Sequence, residues 1–242
     1  VIMLTKSDYE NRDSFLAQGG ICVLRDKNDF DSFMEDTMKA GHYENRKESV
    51  EIMINSSRDI INELIGYGVD FATKDGELDY TREGAHSKPR ILFHEDITGK
   101  EITSTLLDVV RKLENVTIME YVTMTDIIEK DNVCYGVLAK DANNNEMSIE
   151  AGYTIFACGG IGGLYNHSTN YPHLTGDAIA IAIQHGIKLE NVDYVQIHPT
   201  TLYTKEKGRA FLISESVRGE GAKLYGKDGK RFANELLPRD IM

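Results

Sequence analysis

The chain has 242 residues, 41% of them hydrophobic, which is enough apolar material for one large domain or two small ones with a true core. Acidic residues (39) outnumber basic ones (27), and the formal charge of -12 excludes a general nucleic-acid or anionic-membrane surface. An anionic substrate must therefore be met by a local cluster of Arg and His.

The three cysteines, Cys22, Cys134 and Cys158, are far apart and form no CxxC pair, so they support neither a disulfide framework nor a zinc site. A reducing cytoplasm fits them best. No apolar run approaches the roughly 18 to 20 residues that span a bilayer, and no basic-then-apolar export signal opens the chain. Val1-Ile2-Met3-Leu4 reads as a buried strand with nothing before it, and "LLPRDIM" stops just after a Pro-Arg-Asp suited to opening a helix. Both ends predict a piece of a longer protein.

The first loop, "SFLAQGGI" (14–21), joins a Gly pair to Ala and Ser. Such a loop lets backbone amides approach a ligand closely, although the same residues make ordinary turns. Apolar residues at helical spacing predict helices over 29–41 (Phe30, Phe33, Met34, Met38) and 48–65 (Val50, Ile54, Ile61, Leu64, Ile65). Residues 66–99 lack periodicity and concentrate charge, His and Gly, the character of a long functional loop. Thr98 and Glu101 form a Thr-x-x-Glu capping box that predicts a helix through Leu113.

The period then changes to that of strands. Runs at 116–121, 123–128, 133–139, 147–151 and 153–157, with "EKDN" and "DANNN" as turns, predict a small antiparallel meander leading into one buried strand, "YTIFA". That strand runs into "CGGIGG" (158–163), another loop open to close backbone approach, which misses the GxGxxG fingerprint because Tyr165 stands at its last Gly. "TGDAIAIAIQHG" (175–186) predicts a helix with Asp177 in its first turn and Gly186 as terminator.

Two stretches hold candidate chemistry. His198, Arg209, Arg218, Arg231 and Arg239, interleaved with Ser214 and Glu215, could bind a dicarboxylate through guanidinium forks with hydroxyl and imidazole donors, or be surface ion pairs. "YTREGAHSKPRILFHED" carries Arg82, Glu83, His86, Lys88, Arg90 and His94, where Glu83 could receive an ammonium group; a solvated loop is the alternative. No metal site is expected, since neither His86 with His94 nor His167 with His173 has an HExxH or a cysteine set.

Taken in order, "SFLAQGGI", "TGKEITSTLL", "TIFACGGIGGLY", "TGDAIAIAIQHG", "VQIHPTTLY", "LISESVRGEGAKLYGKDGKRFANE" and "LPRD" resemble the succinate dehydrogenase and fumarate reductase flavoprotein superfamily. "YTREGAHSKPRILFHEDITG" resembles its L-aspartate oxidase branch. The resemblance implies an α/β fold: an incomplete Rossmann-like, glutathione-reductase-type FAD-binding domain over 1–192, with a helical insertion and a β meander. The start of an α+β capping domain would follow over 193–242.

It further implies that Lys6, Ser14, Gln18, Gly19, Gly20, Ala157, Gly159, Gly160 and Asp177 contact FAD. His198, Ser214 and Glu215 would meet a dicarboxylate, Glu83 the substrate amine, and Arg239 would be the proton shuttle. Superfamily members with covalent FAD use a His where this chain has Asp13, so the flavin is expected to be noncovalent. The implied reaction oxidises L-aspartate to iminoaspartate, with oxygen or fumarate as acceptor and quinolinate synthase as candidate partner in NAD biosynthesis. A soluble fumarate reductase or succinate dehydrogenase type and a noncatalytic folded fragment are the alternatives. The family's GxGxxG loop would precede Val1 and its remaining substrate and flavin residues would follow Met242, so these residues alone are expected to bind FAD weakly or not at all.

Overall fold

The structure is a computed structural model and describes residues 1–10, 12–206, 208–235, 237 and 241. Its first half runs β1 (Ile2–Thr5), α1 (Asp13–Leu16), β2 (Gly20–Cys22), α2 (Phe30–Ala40), α3 (Lys47–Tyr67), β3 (Thr73–Lys74), β4 (Glu77–Leu78), β5 (Ile91–Phe93) and α4 (Thr98–Val110). The second half runs β6 (Thr117–Glu120), β7 (Thr123–Lys130), β8 (Val133–Lys140), β9 (Glu146–Glu150), α5 (Asp177–Gln184), β10 (Thr201–Leu202), β11 (Phe211–Leu212) and α6 (Glu215–Gly219). This is the expected α/β content. Contacts group the chain into two compact units, 1–13 with 111–196 and 202–211, and 14–110 with 197–201 and 212–242.

In the first unit, β7, β8 and β9 form the predicted antiparallel meander. Its turns follow from their residues: Asp131 and Asn132 take left-handed φ of 54° and 61°, and the Asp141 carboxylate accepts from the Asn143 and Asn145 amides. Ile127 and Val137 from the meander meet Ile181 of α5, with Leu4, Met124 and Ile149 packed around them. Residues 116–121 do form a strand, but β6 pairs in parallel with β1 rather than joining the meander. The apolar Val1-Ile2 start remains exposed.

The predicted buried strand 153–157 does not form: Tyr153 is 95% and Ile155 87% exposed. A strand exists through its ladder, and this run has no ladder partner among the described residues. Apolar content alone did not supply one.

In the second unit, α2 packs on α3 through Phe33, Val50 and Ile54. Further along the same face of α3, Ile61 and Leu64 meet Val23, Val69, Phe71 and Leu92, with Ile102 and Leu106 of α4 against them. The face follows the helical period read from the sequence. The long 66–99 stretch holds the β3–β4 hairpin and β5, which pairs antiparallel with β2. No helix among the described residues is long and apolar enough to cross a membrane.

The Thr98–Glu101 capping box is not made. Thr98 is the first residue of α4; its hydroxyl accepts from the His94 amide and donates to the Gly19 carbonyl at 2.5 Å, while Glu101 accepts from the Asp70 amide. Tertiary partners took both side chains. The helix also ends at Val110, three residues before the predicted Leu113. The helix expected to open at Pro238 lies outside the described residues.

Ile54 is wholly buried between α2 and α3, whereas Ile52 on the same helix is 69% exposed. Ile54→Ala is expected to lower stability by about 2–5 kcal/mol and Ile52→Ala by less than about 0.5 kcal/mol. Urea unfolding of the two variants checks the difference.

Candidate functional site

The opening loop is held by its carbonyls. The Gly99 amide donates to the Ala17 carbonyl at 2.9 Å and the Thr98 hydroxyl to that of Gly19. All peptides of the described residues are trans, so fixing these two C=O groups on α4 turns the Gln18 and Gly20 N–H groups away from it. Gln18 Oε1 is buried without a hydrogen-bond partner. A buried acceptor lacking a donor, beside amides directed away from their anchor, fits a ligand that brings N–H donors and anionic oxygens.

Glu83 lies on this loop. Gly19 has φ of +72°, which favours glycine, and a Cβ there would stand 2.7 Å from Glu83 Oε1 and push that carboxylate aside. The next residue, Gly84, approaches Glu215 equally closely, with an imagined Cβ 2.8 Å from Glu215 Oε1. Three sequence-predicted positions, Gly19, Glu83 and Glu215, therefore converge in the second unit. Cys22 is their neighbour: burial first, then the Glu83 charge, pushes its thiol up to about 11, against a smaller opposing effect of Arg90.

Glu215 opens α6, and Ser214 caps it. The buried Ser214 hydroxyl lies 2.8 Å from both Asp96 Oδ1 and Ser216 Oγ, and accepts from the Ser216 amide. One turn on, buried Arg218 reaches Glu215 Oε2 at 3.6 Å and donates to Thr200 Oγ1 at 3.0 Å. His198 Nδ1 contacts the Thr200 backbone, donating to its carbonyl or accepting from its amide according to which ring nitrogen holds the proton. His198, Thr200, Arg218 and Glu215 thus form one linked set.

Asp96, and the tie from Arg218 to Glu215, were missed in the sequence; the i,i+3 Glu-Arg spacing was the available signal. The remaining predicted cations disperse. Arg231 pairs with Glu235 at 2.6 Å and Arg209 lies over the Tyr171 ring. Arg239 lies outside the described residues.

The stretch carrying Glu83 is closed at its base by the Thr81–Ile91 bridge and pinned by Arg90. This guanidinium, with no exposed side-chain surface, bonds Asp29 (2.9 and 3.1 Å), Asp36 (2.5 Å) and Ser32 (3.1 Å), and stacks on Phe33. Burial alone would raise the Asp29 carboxyl, but hydrogen bonds from Arg90 and Ser32 with the charges of Arg90 and Lys88 hold it at about 2. His86 is kept below its ordinary value by burial and then by Arg90, which outweigh Asp36, Glu215 and Asp29. His94 turns elsewhere, its Nδ1 2.6 Å from the Asp70 carbonyl. No group of three metal-ligating side chains occurs among the described residues.

In the first unit, Lys6 and Asp177 meet at 2.7 Å, and Thr175 bonds both. Burial would raise the Asp177 carboxyl; hydrogen bonds from Lys6 and Thr175 prevail and lower it. The Ala157–Gly160 turn lies within reach of these charges, because Asp177 and Lys6 both act on the Cys158 thiol after burial and an Ala157 backbone hydrogen bond. Asp13 accepts from the Asn170 side chain and from the Tyr171 amide at 3.1 Å.

The FAD binding domain family matches residues 1–242. The chain belongs to this family. It is thereby a flavoprotein of the succinate dehydrogenase and fumarate reductase superfamily, and FAD is the cofactor for which Gln18 and the loop amides were found to fit. This FAD-binding chain is 46% identical over 243 residues to L-aspartate oxidase of Clostridium perfringens, covering 100% of the chain and 55% of that protein. It is 47% identical over 246 residues to L-aspartate oxidase of Clostridium acetobutylicum, covering 100% and 56%. Among solved structures it is similar to a mutated E. coli quinol fumarate reductase FrdA, with TM-score 0.89, 25% identity, and coverage of 99% of this chain and 44% of that one. Mycobacterium smegmatis Sdh1 gives TM-score 0.83 at 30% identity, covering 100% and 44%. The FAD-binding chain spans about half the length of the curated relatives it matches.

Because Asp29 is held below its ordinary 3.8, its stabilising effect is complete above that value and lost as pH falls through about 2. The stability gap between the native chain and Asp29→Asn is expected to be constant above about pH 5 and to narrow in stronger acid. Urea titrations across that range measure it.

Proposed function

We propose that this chain serves the FAD-dependent oxidation of L-aspartate to iminoaspartate, with oxygen or fumarate as electron acceptor. The observation that carries the reading is Glu83, a carboxylate held against Gly19 of the flavin loop and next to the Gly84–Glu215 contact. Aspartate differs from succinate by one ammonium group, and a fixed carboxylate favours the substrate that brings it. With its proton affinity lowered by burial and Arg90, His86 adds no positive charge to oppose Glu83 at neutral pH.

His198 and Ser214 receive a substrate carboxylate in this reading. Ser214 does so by redirecting the hydroxyl now shared with Asp96 and Ser216. Glu215 is oriented by Arg218, and Arg239 supplies positive charge or moves a proton. Arg is almost always protonated, which favours its electrostatic role over that of a base. Lys6, Ser14, Gln18, Gly19, Gly20, Ala157, Gly159, Gly160 and Asp177 are the residues that would hold FAD. Bound there, FAD would supply a two-electron acceptor for the hydride that leaves the substrate Cα as the amine nitrogen gives up a proton to solvent.

Residues 1–192 are read as FAD-binding domain and 193–242 as the start of a capping domain. A noncovalent flavin follows from Asp13, a carboxylate that cannot form a histidyl bond. The product suits consumption by quinolinate synthase on the way to NAD, and the three free cysteines suit a cytoplasmic setting. The likeness to Sdh1 and FrdA supports a second reading, a soluble succinate dehydrogenase or fumarate reductase type.

In the full-length protein, Glu83→Gln is expected to lower kcat/KM for L-aspartate by about a hundredfold while leaving fumarate reduction within about threefold. Anaerobic bleaching of flavin absorbance by L-aspartate and not by succinate is the companion result. Bleaching by succinate alone, or equal losses with both substrates, defeats the aspartate reading.

A further inference from the structure

Segment 82–90 carries Glu83, and further along it Ala85 and His86 border an open pocket of about 430 Å³ together with Cys22, Phe33, Asp36 and Met53. An open pocket gives the segment little packing there. The hold comes instead from polar contacts to α2: the Asp36 carboxylate accepts the Ser87 amide at 2.8 Å, the Ser87 hydroxyl at 2.7 Å and Arg90 Nη1 at 2.5 Å. Arg90 Nη1 also stands 3.3 Å from His86 Nδ1, and His86 Nε2 lies 3.7 Å from the Cys22 thiol. The contacts that leave the segment do so three to seven residues from Glu83.

We propose that Asp36 and Arg90 are positioning residues for substrate choice: helix α2 clamps segment 82–90 so that Glu83 stays on Gly19, where it meets the substrate amine. The proposal rests on the amine-reading role of Glu83. Neither residue touches substrate. Their effect passes through Ser87 and the chain leading to Glu83, so loosening the clamp frees the Glu83 carboxylate to move while Ser214, Glu215 and His198, held by α6 and Thr200, keep their places. The loss should appear in the recognition of an ammonium group and not in that of a dicarboxylate.

The test uses the full-length, FAD-loaded protein with Asp36→Asn, Ser87→Ala, Glu83→Gln and the Asp36→Asn/Glu83→Gln double variant. Ser87 is exposed, so its variant separates the clamp from any general loss of folding. Expected for Asp36→Asn and Ser87→Ala is a KM for L-aspartate raised about tenfold with kcat within about twofold, and an unchanged KM for fumarate. In the Glu83→Gln background, Asp36→Asn adds no further loss, because both act on one carboxylate. Parallel rises in the KM of aspartate and fumarate, or independent addition of the two substitutions, overturn the proposal. An aspartate preference that depends on Glu83 but survives both clamp variants overturns the clamp alone. A preference that survives Glu83→Gln overturns the amine-reading role and the clamp with it.

Discussion

A guanidinium with no exposed surface is the constraint around which the second unit is organised. Left unpaired, Arg90 would be intolerable in an apolar interior, and deleting one partner of such a pair costs about 3–5 kcal/mol. Its partners must therefore come to it. Asp29 at the N-cap of α2, Phe33 and Asp36 recur at i, i+4 and i+7, so a carboxylate, a ring and a second carboxylate follow one line along the start of the helix. Ile91 and Leu92 follow Arg90 directly into the core, which carries the charge inward and leaves α2 as its cover.

The opening loop, residues 14–21, obeys a related economy. Its carbonyls are satisfied by Thr98 and Gly99, and its chemistry is left to Gln18 and to amides facing the other way. This is why the apparent capping box at Thr98 fails. A capping hydroxyl accepts from an amide of its own helix, whereas that of Thr98 accepts from the His94 amide and donates to the Gly19 carbonyl.

Local pattern made the helices legible, because the apolar faces of α2, α3, α4 and α5 are written at helical spacing. The meander was legible through Asp131, Asn132 and Asp141, whose side chains and left-handed backbones fix the turns. What the sequence did not disclose depends on partners distant along the chain. Tyr153 and Ile155 look like a core strand by composition, yet burial requires a neighbouring strand that composition does not name. Residues 116–121 looked like part of the meander until β1 claimed them. At the site, the ordered motifs pointed to Glu83 and Glu215, but Asp96, Asp36 and Asp29 were hidden among many acids. Only the fold shows which acid faces a cation or a hydroxyl.

A chain of charge -12 has to keep its own acids from repelling one another. The second unit does this by giving its carboxylates partners. Asp29 and Asp36 are consumed by Arg90, Asp96 accepts from Ser214, Glu235 is held by Arg231, and Glu215 lies near Arg218. Glu83 is kept close to Gly19 of the opening loop, with His86 held toward its neutral form. The first unit treats Asp13 in the same way: its carboxylate is committed to Asn170 and the Tyr171 amide, which turns a position that could have been a flavin tether into a brace for the 168–171 loop. Placement decides what a carboxylate does here more than residue type, since a committed donor makes Asp13, Asp29 and Asp96 structural.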